Sequence, residues 1–216
     1  MKPLVILSGG VDSATALYLA KSQYKEVEAV NFAYGSKHEK QECKCAKTLA
    51  DNLGVKLYTI SMDFISTYFK SSLLGGTIPE GEYNEKDMNS TVVPFRNGIM
   101  LSIAAGLAES IGCDEIVLGN HGGDHFIYPD CRPEFIKSMS KAVFEGSGSK
   151  VQIWSPFCCM SKASIIQIGD RLGVDFANTY SCYNGGELHC GKCATCLERK
   201  EAFRLASIID PTKYEE

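Results

Sequence analysis

The six residues Ser8-Gly9-Gly10-Val11-Asp12-Ser13, set directly behind the aliphatic run Leu4-Val5-Ile6-Leu7, constrain the fold of this chain more than any other feature. An unbroken aliphatic run that stops at glycines reads as a strand buried on both faces, as in a parallel sheet covered by helices. A helix is expected next, capped by Asp12 or Ser13 and carrying Ala14, Leu17, Tyr18 and Leu19 at helical spacing. Strand, tight turn and helix in that order put the turn at the carboxyl edge of a sheet, where open α/β folds bind ligands.

The pattern repeats along the chain. Residues 27–32 and 55–60 read as strands, 37–52 as a helix ended by Gly54, 97–110 as a helix and 115–118 as a strand that stops at Gly119-Asn120. A helix over 133–144, a strand over 151–154 and a helix over 162–172 follow. The alternation predicts an α/β fold: an open, mainly parallel, Rossmann-like sheet with helices on both faces. No repeat or low-complexity linker divides the chain, so residues 1–178 are read as one domain with a small cysteine-bearing module, 179–216, packed on it. The stretch 71–94, rich in glycine and proline and without periodicity, exceeds the usual length of a compact connection and is expected to be a lid over the site.

Composition limits the partners. A formal net charge of −4 and a pI near 5.6 supply no basic field for a nucleic-acid backbone. The apolar run before Ser8 is too short for an export signal, and the weakly polar stretch 98–108 falls short of the roughly 18 to 20 residues that cross a bilayer. A soluble cytoplasmic chain without membrane contact is expected.

The turn itself suits an anion. Two glycines let the backbone approach closely, the N–H groups of the turn and first helical turn point at the ligand, and Ser8 and Ser13 add hydroxyls. Asp12 beside phosphates is repulsive unless it caps the helix or shares a magnesium ion with them. Walker spacing and Gly-x-Gly-x-x-Gly are both absent, which disfavours P-loop NTPases and dinucleotide dehydrogenases.

Ten cysteines in 216 residues raise the question of a disulfide scaffold, but a chain of this length needs no staples. Cys182, Cys190, Cys193 and Cys196 form C-x7-C-x2-C-x2-C, and four thiolates complete a closed tetrahedral zinc shell of the structural kind. An iron–sulfur cluster is the competing assignment, without the Cys-Pro that ferredoxin spacing puts three residues further on. His189 is a candidate to replace one thiolate, and Cys43, Cys45, Cys113, Cys131, Cys158 and Cys159 read as core or neutral positions.

The loop resembles the SGGxDS signature of PP-loop ATP pyrophosphatases, which implies ATP with Mg2+ held by Leu7, Ser8, Gly9, Gly10, Val11, Asp12, Ser13, Ala14 and Thr15. Together with Cys182-Tyr183-Asn184-Gly185 and the C-x2-C-x2-C run, it resembles the 7-cyano-7-deazaguanine synthases of queuosine biosynthesis over nearly the whole chain. Tyr34-Gly35 with His38, Val93-Pro94-Phe95-Arg96-Asn97 and Tyr128-Pro129-Asp130-Cys131-Arg132 fall in that family's order. The resemblance implies activation of 7-carboxy-7-deazaguanine by adenylation, an amide formed with ammonia, a second activation to the nitrile, and a homodimer. Ser8, Asp12, Ser13, Arg96 and Lys162 are then the candidate catalytic residues, and Arg96, Asn97, Asp124, Tyr128, Asp130 and Arg132 the candidate contacts to the base. His121 and His125 flank the same loop as candidates for proton transfer.

Two departures stand out. The family's run is usually VPGRN, where this chain has Phe95, and its ETD is here Gly122-Gly123-Asp124. The alternatives left open are a PP-loop tRNA sulfurtransferase using a persulfide on Cys113 or Cys131, a synthase for a different deazapurine acid or one stopping at the amide, and a zinc-ribbon binding module on an inert scaffold.

Overall fold

The computed structural model describes residues 1–81 and 88–215. Five strands form one parallel sheet in the order β3-β2-β1-β4-β5: β1 (Pro3–Ile6), β2 (Glu28–Ala33), β3 (Lys56–Ser61), β4 (Glu115–Val117) and β5 (Gln152–Trp154). Leu4 of the central strand lies opposite Glu28 on one side and Ile116 on the other. Strand residues alternate between two cores. Val5, Leu7, Ala29 and Val117 face α1 (Val11–Gln23), α2 (Glu39–Asn52), α6 (Lys162–Leu172) and α7 (Ala194–Ala206). Leu4, Ile6, Val30, Phe32 and Ile116 face α3 (Asp63–Tyr68), α4 (Arg96–Ile111) and α5 (Pro133–Gly146). The expected open parallel sheet covered on both faces is the observed one.

The path of the chain creates the site. It steps outward from β1 to β3 with α1 and α2 on one face, then returns along α4 on the other face to place β4 beside β1. Right-handed crossovers require that change of face when the direction reverses. The carboxyl ends of β1 and β4 therefore diverge, and the crevice between them is where such folds take a ligand. Close helix contact holds this arrangement: a Cβ on Gly169 of α6 would lie 2.6 Å from the Phe176 ring and 2.8 Å from Thr15 Oγ1 of α1.

Several expectations are corrected. Helix α1 is capped by Gly10, with no side-chain cap, rather than by Asp12 or Ser13. Asp12 already lies in the first turn, drawn to Lys162 at 3.3 Å, and Ser13 Oγ turns back to Gly10 O at 3.0 Å. Helices α3 and α7 add to those the sequence pattern predicts; in the cysteine-bearing tail, Ala202, Phe203 and Ala206 give α7 a buried face in the same core as Leu17 and Leu49. Helix α2 starts at Glu39 rather than 37 because His38 occupies the cap position.

The described part of the lid stretch packs against the cysteine segment. Glu80 bridges Cys193, and Gly81 N donates to Lys192 O at 3.1 Å. Its middle, residues 82–87, lies outside the described residues. By length and composition Asn89–Ile111 is apolar enough to cross a bilayer, but Leu101, Ala104 and Ala108 within it are fully buried against the sheet.

Candidate active site

The loop between β1 and α1 is built by its glycines. Gly9 has a positive φ of 92°, and a Cβ there would sit 2.4 Å from Glu42 O, so only glycine fits between the loop and α2. Gly119, at the end of β4, is equally confined: a Cβ would lie 3.0 Å from the backbone of Asp12 and Ser13. Ser8 Oγ and Ser13 Oγ lie 3.0 Å apart and accept from the N–H groups of Gly10 and Gly9. The strap Tyr180–Ser181 closes over the loop, with Tyr180 N donating to Gly9 O at 2.9 Å.

A cavity of about 220 Å3 opens in front of this loop, with Ser8, Gly10, Val11, Asp12 and Ser13 in its wall. Lys162, from the first residue of α6, places its Nζ 3.3 Å from Asp12 and 2.8 Å from Glu198 of α7. Burial works against the ammonium, but Asp12, Glu198 and Asp124 outweigh it and hold its pKa above the ordinary lysine value. His121 accepts from Gly123 N on Nδ1, so its Nε2 faces Asp124, Asp12 and Glu198 at 3.6, 3.8 and 3.9 Å. Burial raises the Asp124 carboxyl, partly offset by His121 and Lys162. Three carboxylates thus meet one lysine, and Asp12 Oδ1 is buried without a hydrogen-bond partner. That orphaned acceptor in an excess of negative charge is what a divalent cation beside phosphates would satisfy.

A second group of side chains lines the other part of the cavity. Arg96 Nη1 donates to Tyr34 Oη at 3.0 Å, with its guanidinium over the Tyr34 ring. Glu42 comes from α2 and His38 from its N-cap, and His38 stacks on Tyr183 with ring centroids 5.3 Å apart. Tyr128 Oη lies 3.0 Å from Thr91 Oγ1 and 3.4 Å from Tyr183 Oη.

The fold brings Leu7, Ser8, Gly10, Val11, Asp12, Ser13, Arg96, Asn97, Asp124, Tyr128 and Lys162 to this one cavity. Ala14 and Thr15 lie in the core behind it. Asp130 instead accepts from Asn97 N at 2.8 Å and so caps α4. Arg132 is exposed and donates to His125 O, outside the cavity wall. His125 points its Nε2 at Cys158, 3.8 Å away. Glu42, Glu198 and Thr195 in the wall were missed by sequence reasoning. Glu198 and Thr195 flank a cysteine ligand position in α7, a signal visible only once that segment is read as a helix.

The four cysteines converge. Cys182, Cys190, Cys193 and Cys196 are buried with their sulfurs within 4.8 Å of one another, and Cys190 and Cys196 are 3.9 Å apart. A tetrahedron of metal–sulfur bonds of about 2.3 Å has edges of about 3.8 Å. The space suits one ion and is too tight for a cubane cluster. Backbone N–H groups of Cys190, Lys192 and Cys193 point at the sulfurs. His189 stays out of the shell, accepting from Ser181 N at 2.9 Å. Fully buried Arg199, one turn further on, binds Thr179, Ser181 and Phe176 O and pairs with Asp210 at 3.1 Å, which fixes the strap over the glycine loop.

Comparison with known proteins agrees with this geometry. The family described as "Queuosine biosynthesis protein QueC" matches residues 2–207. The chain is 52% identical to the 7-cyano-7-deazaguanine synthase of Porphyromonas gingivalis over 214 residues, 98% of this chain and 96% of that protein. It is 50% identical to the synthase of the same name from Desulfotalea psychrophila over 213 residues, 98% and 97% of the two chains. In fold it is similar to NMN synthetase from Francisella tularensis, with a TM-score of 0.53 and 15% identity over 96% of this chain and 77% of that one. The U34-tRNA thiolase NcsA of Methanococcus maripaludis gives a TM-score of 0.51 at 13% identity, over 97% and 73%. At these identities the structural likeness speaks to the fold alone.

Proposed function

Because the chain belongs to the QueC family of queuosine biosynthesis proteins, we propose that it converts 7-carboxy-7-deazaguanine, ammonia and ATP into 7-cyano-7-deazaguanine. The observation that carries the reading is the convergence of the glycine turn, Lys162 and a three-carboxylate cluster on one wall of one cavity.

A resonance-stabilised carboxylate is a poor electrophile, so an oxygen of the acid must first become a leaving group. In the proposed step that oxygen forms a bond to the α-phosphorus of ATP and the α–β bridging bond breaks, releasing pyrophosphate. Ammonia then adds to the activated carbonyl carbon, a proton is lost, and AMP departs to leave the amide. A second ATP activates the amide oxygen in the same way, and loss of AMP and of both amide protons gives the nitrile.

This chain contributes positioning and charge. The N–H groups of the turn and first turn of α1, with the Ser8 and Ser13 hydroxyls, hold the pyrophosphate. Lys162, kept charged by its carboxylates, exchanges part of that pairing for phosphate oxygens. Glu198 keeps the lysine aimed at the loop. Asp12 would hold Mg2+, which when bound would neutralise phosphate charge. Arg96 supplies a second fixed cation for the developing negative charge.

The four-cysteine cluster is read as a structural zinc site that pins the 179–216 module. The same reading makes the enzyme a cytoplasmic homodimer acting on a free base without nucleic acid.

The test is to incubate purified protein with ATP, Mg2+, ammonium and the carboxydeazaguanine while following nucleotide products and substrate mass. AMP with pyrophosphate, and mass losses to the amide and then to the nitrile, are expected. Asp12→Ala should abolish turnover with the circular dichroism spectrum unchanged. ADP as the sole nucleotide product, or full turnover by Asp12→Ala, would overturn the assignment.

A further inference from the structure

Glu42 is the one carboxylate in the cavity wall that takes no part in the Lys162 cluster. It projects from α2 beside Tyr34, His38 and Arg96, about one-fifth exposed and open to the cavity. Among the described residues no hydrogen bond satisfies its side chain. Among the described residues its one neighbour at ion-pair distance is His38 Nε2, 3.6 Å away. Burial holds that imidazole down at about 4, with Arg96 adding to the effect, so it is neutral and offers no countercharge. Burial likewise pushes the Glu42 carboxyl up to about 8, against the pull of Arg96. Without donors the carboxyl keeps its proton at neutral pH; a ligand that supplies two N–H donors would favour the ionised form, its proton passing to solvent.

The ligand chemistry it selects follows from its two acceptor oxygens. A guanine-type edge presents two parallel donors, N1–H and the 2-amino group, which a carboxylate accepts together. An adenine edge presents one donor and one acceptor, which suits an amide and repels a carboxylate. Beside it Tyr183, partly exposed in the cavity wall and backed by the buried His38 ring, offers an aromatic surface of the kind a planar base lies against.

Resting on the functional reading above, we propose that Glu42 is the residue that recognises the base, accepting the N1–H and 2-amino hydrogens of the deazaguanine and thereby fixing specificity for it. A site built to bind such donors rejects analogues that lack them because its own polar atoms are then left unpaired.

The test is steady-state kinetics of wild type and Glu42→Gln with 7-carboxy-7-deazaguanine and with its analogue lacking the 2-amino group. In Glu42→Gln the amide NH2 opposes N1–H, so KM for the acid should rise by about tenfold or more while KM for ATP stays within about twofold. Wild type should discriminate strongly against the 2-desamino analogue, and the variant should lose most of that preference. An unchanged KM for the base would overturn the inference while leaving the synthase reading intact. A rise confined to ATP would also overturn it, assigning Glu42 to the adenine amino group. If wild type turned over neither acid, the synthase reading would fail. Equilibrium binding of the two bases to both proteins would then decide the Glu42 inference alone, and equal affinities would overturn it.

Discussion

Glu42 and His38 stand one helical turn apart and are shifted in opposite directions, which makes them separable in solution. Glu42, raised to about 8, binds its proton more tightly in the folded state, so its contribution to stability is complete below the ordinary carboxyl range and is lost as pH rises through about 8. His38, lowered to about 4, acts in the reverse sense: its contribution is present above the ordinary imidazole value and is lost as pH falls through about 4. Urea denaturation of the ligand-free protein should therefore show stability declining between pH 5 and 8 by at most about 1.4 kcal/mol per unit from Glu42. Glu42→Gln should flatten that alkaline limb and leave the acid limb in place. An unaltered alkaline limb would mean that the carboxyl titrates in the ordinary range.

At the scale of elements, the start of α4 shows what a local departure costs. Phe95 occupies the cap with a φ of 55°, a left-handed conformation that favours glycine, and its ring packs edge-on against Phe135. The family's usual glycine at this place has a physical reason: a positive φ costs a residue with a side chain about 1–2 kcal/mol. The same ring covers Gly98, where a Cβ would come within 2.3 Å of it. Gly98→Ala must displace that largely exposed ring, so it should give less than the about 1 kcal/mol that alanine ordinarily adds to a helix. In a Phe95→Gly background the same substitution should recover that gain in full. Thermal denaturation of the four proteins forms the double-mutant cycle, and additive effects would show that the two residues do not interact.

Across the whole molecule, the two ends of the chain meet at the site. The glycine loop comes from residues 8–13, and its strap and the partner of its lysine come from residues 180–199. A metal held at the cysteines would therefore bear on the proposed catalysis, because Cys196 and Glu198 lie on the same turn of α7. Removing the ion with a chelator should abolish turnover and loosen the tail, with hydrogen exchange rising over 179–206 before the sheet responds. About one zinc per chain should be recovered in the released fraction. Turnover that survives complete metal removal would show that the strap and α7 hold without it.

What the sequence determined is what short-range physics controls. The aliphatic run, the glycine turn and the helix behind it are contiguous, so period and composition suffice to read them, and four cysteines at ligand spacing mark a group able to hold a metal before any contact is known. The parallel sheet with helices on both faces also followed from alternation of strands and helices, whereas the strand order came only from the structure. Tertiary structure decided the rest. Glu198 and Glu42 look like ordinary surface acids on polar helix faces, and only the packing of α7 and α2 around the crevice turns them inward. Asp130 and Arg132 sit in a motif that suggested base contacts, yet the fold uses the first to cap α4 and leaves the second in solvent. Spacing along the chain fixes which residues share a turn. Which of those turns face one another is set by the crossover of α4, a long-range choice made by burying both faces of the sheet.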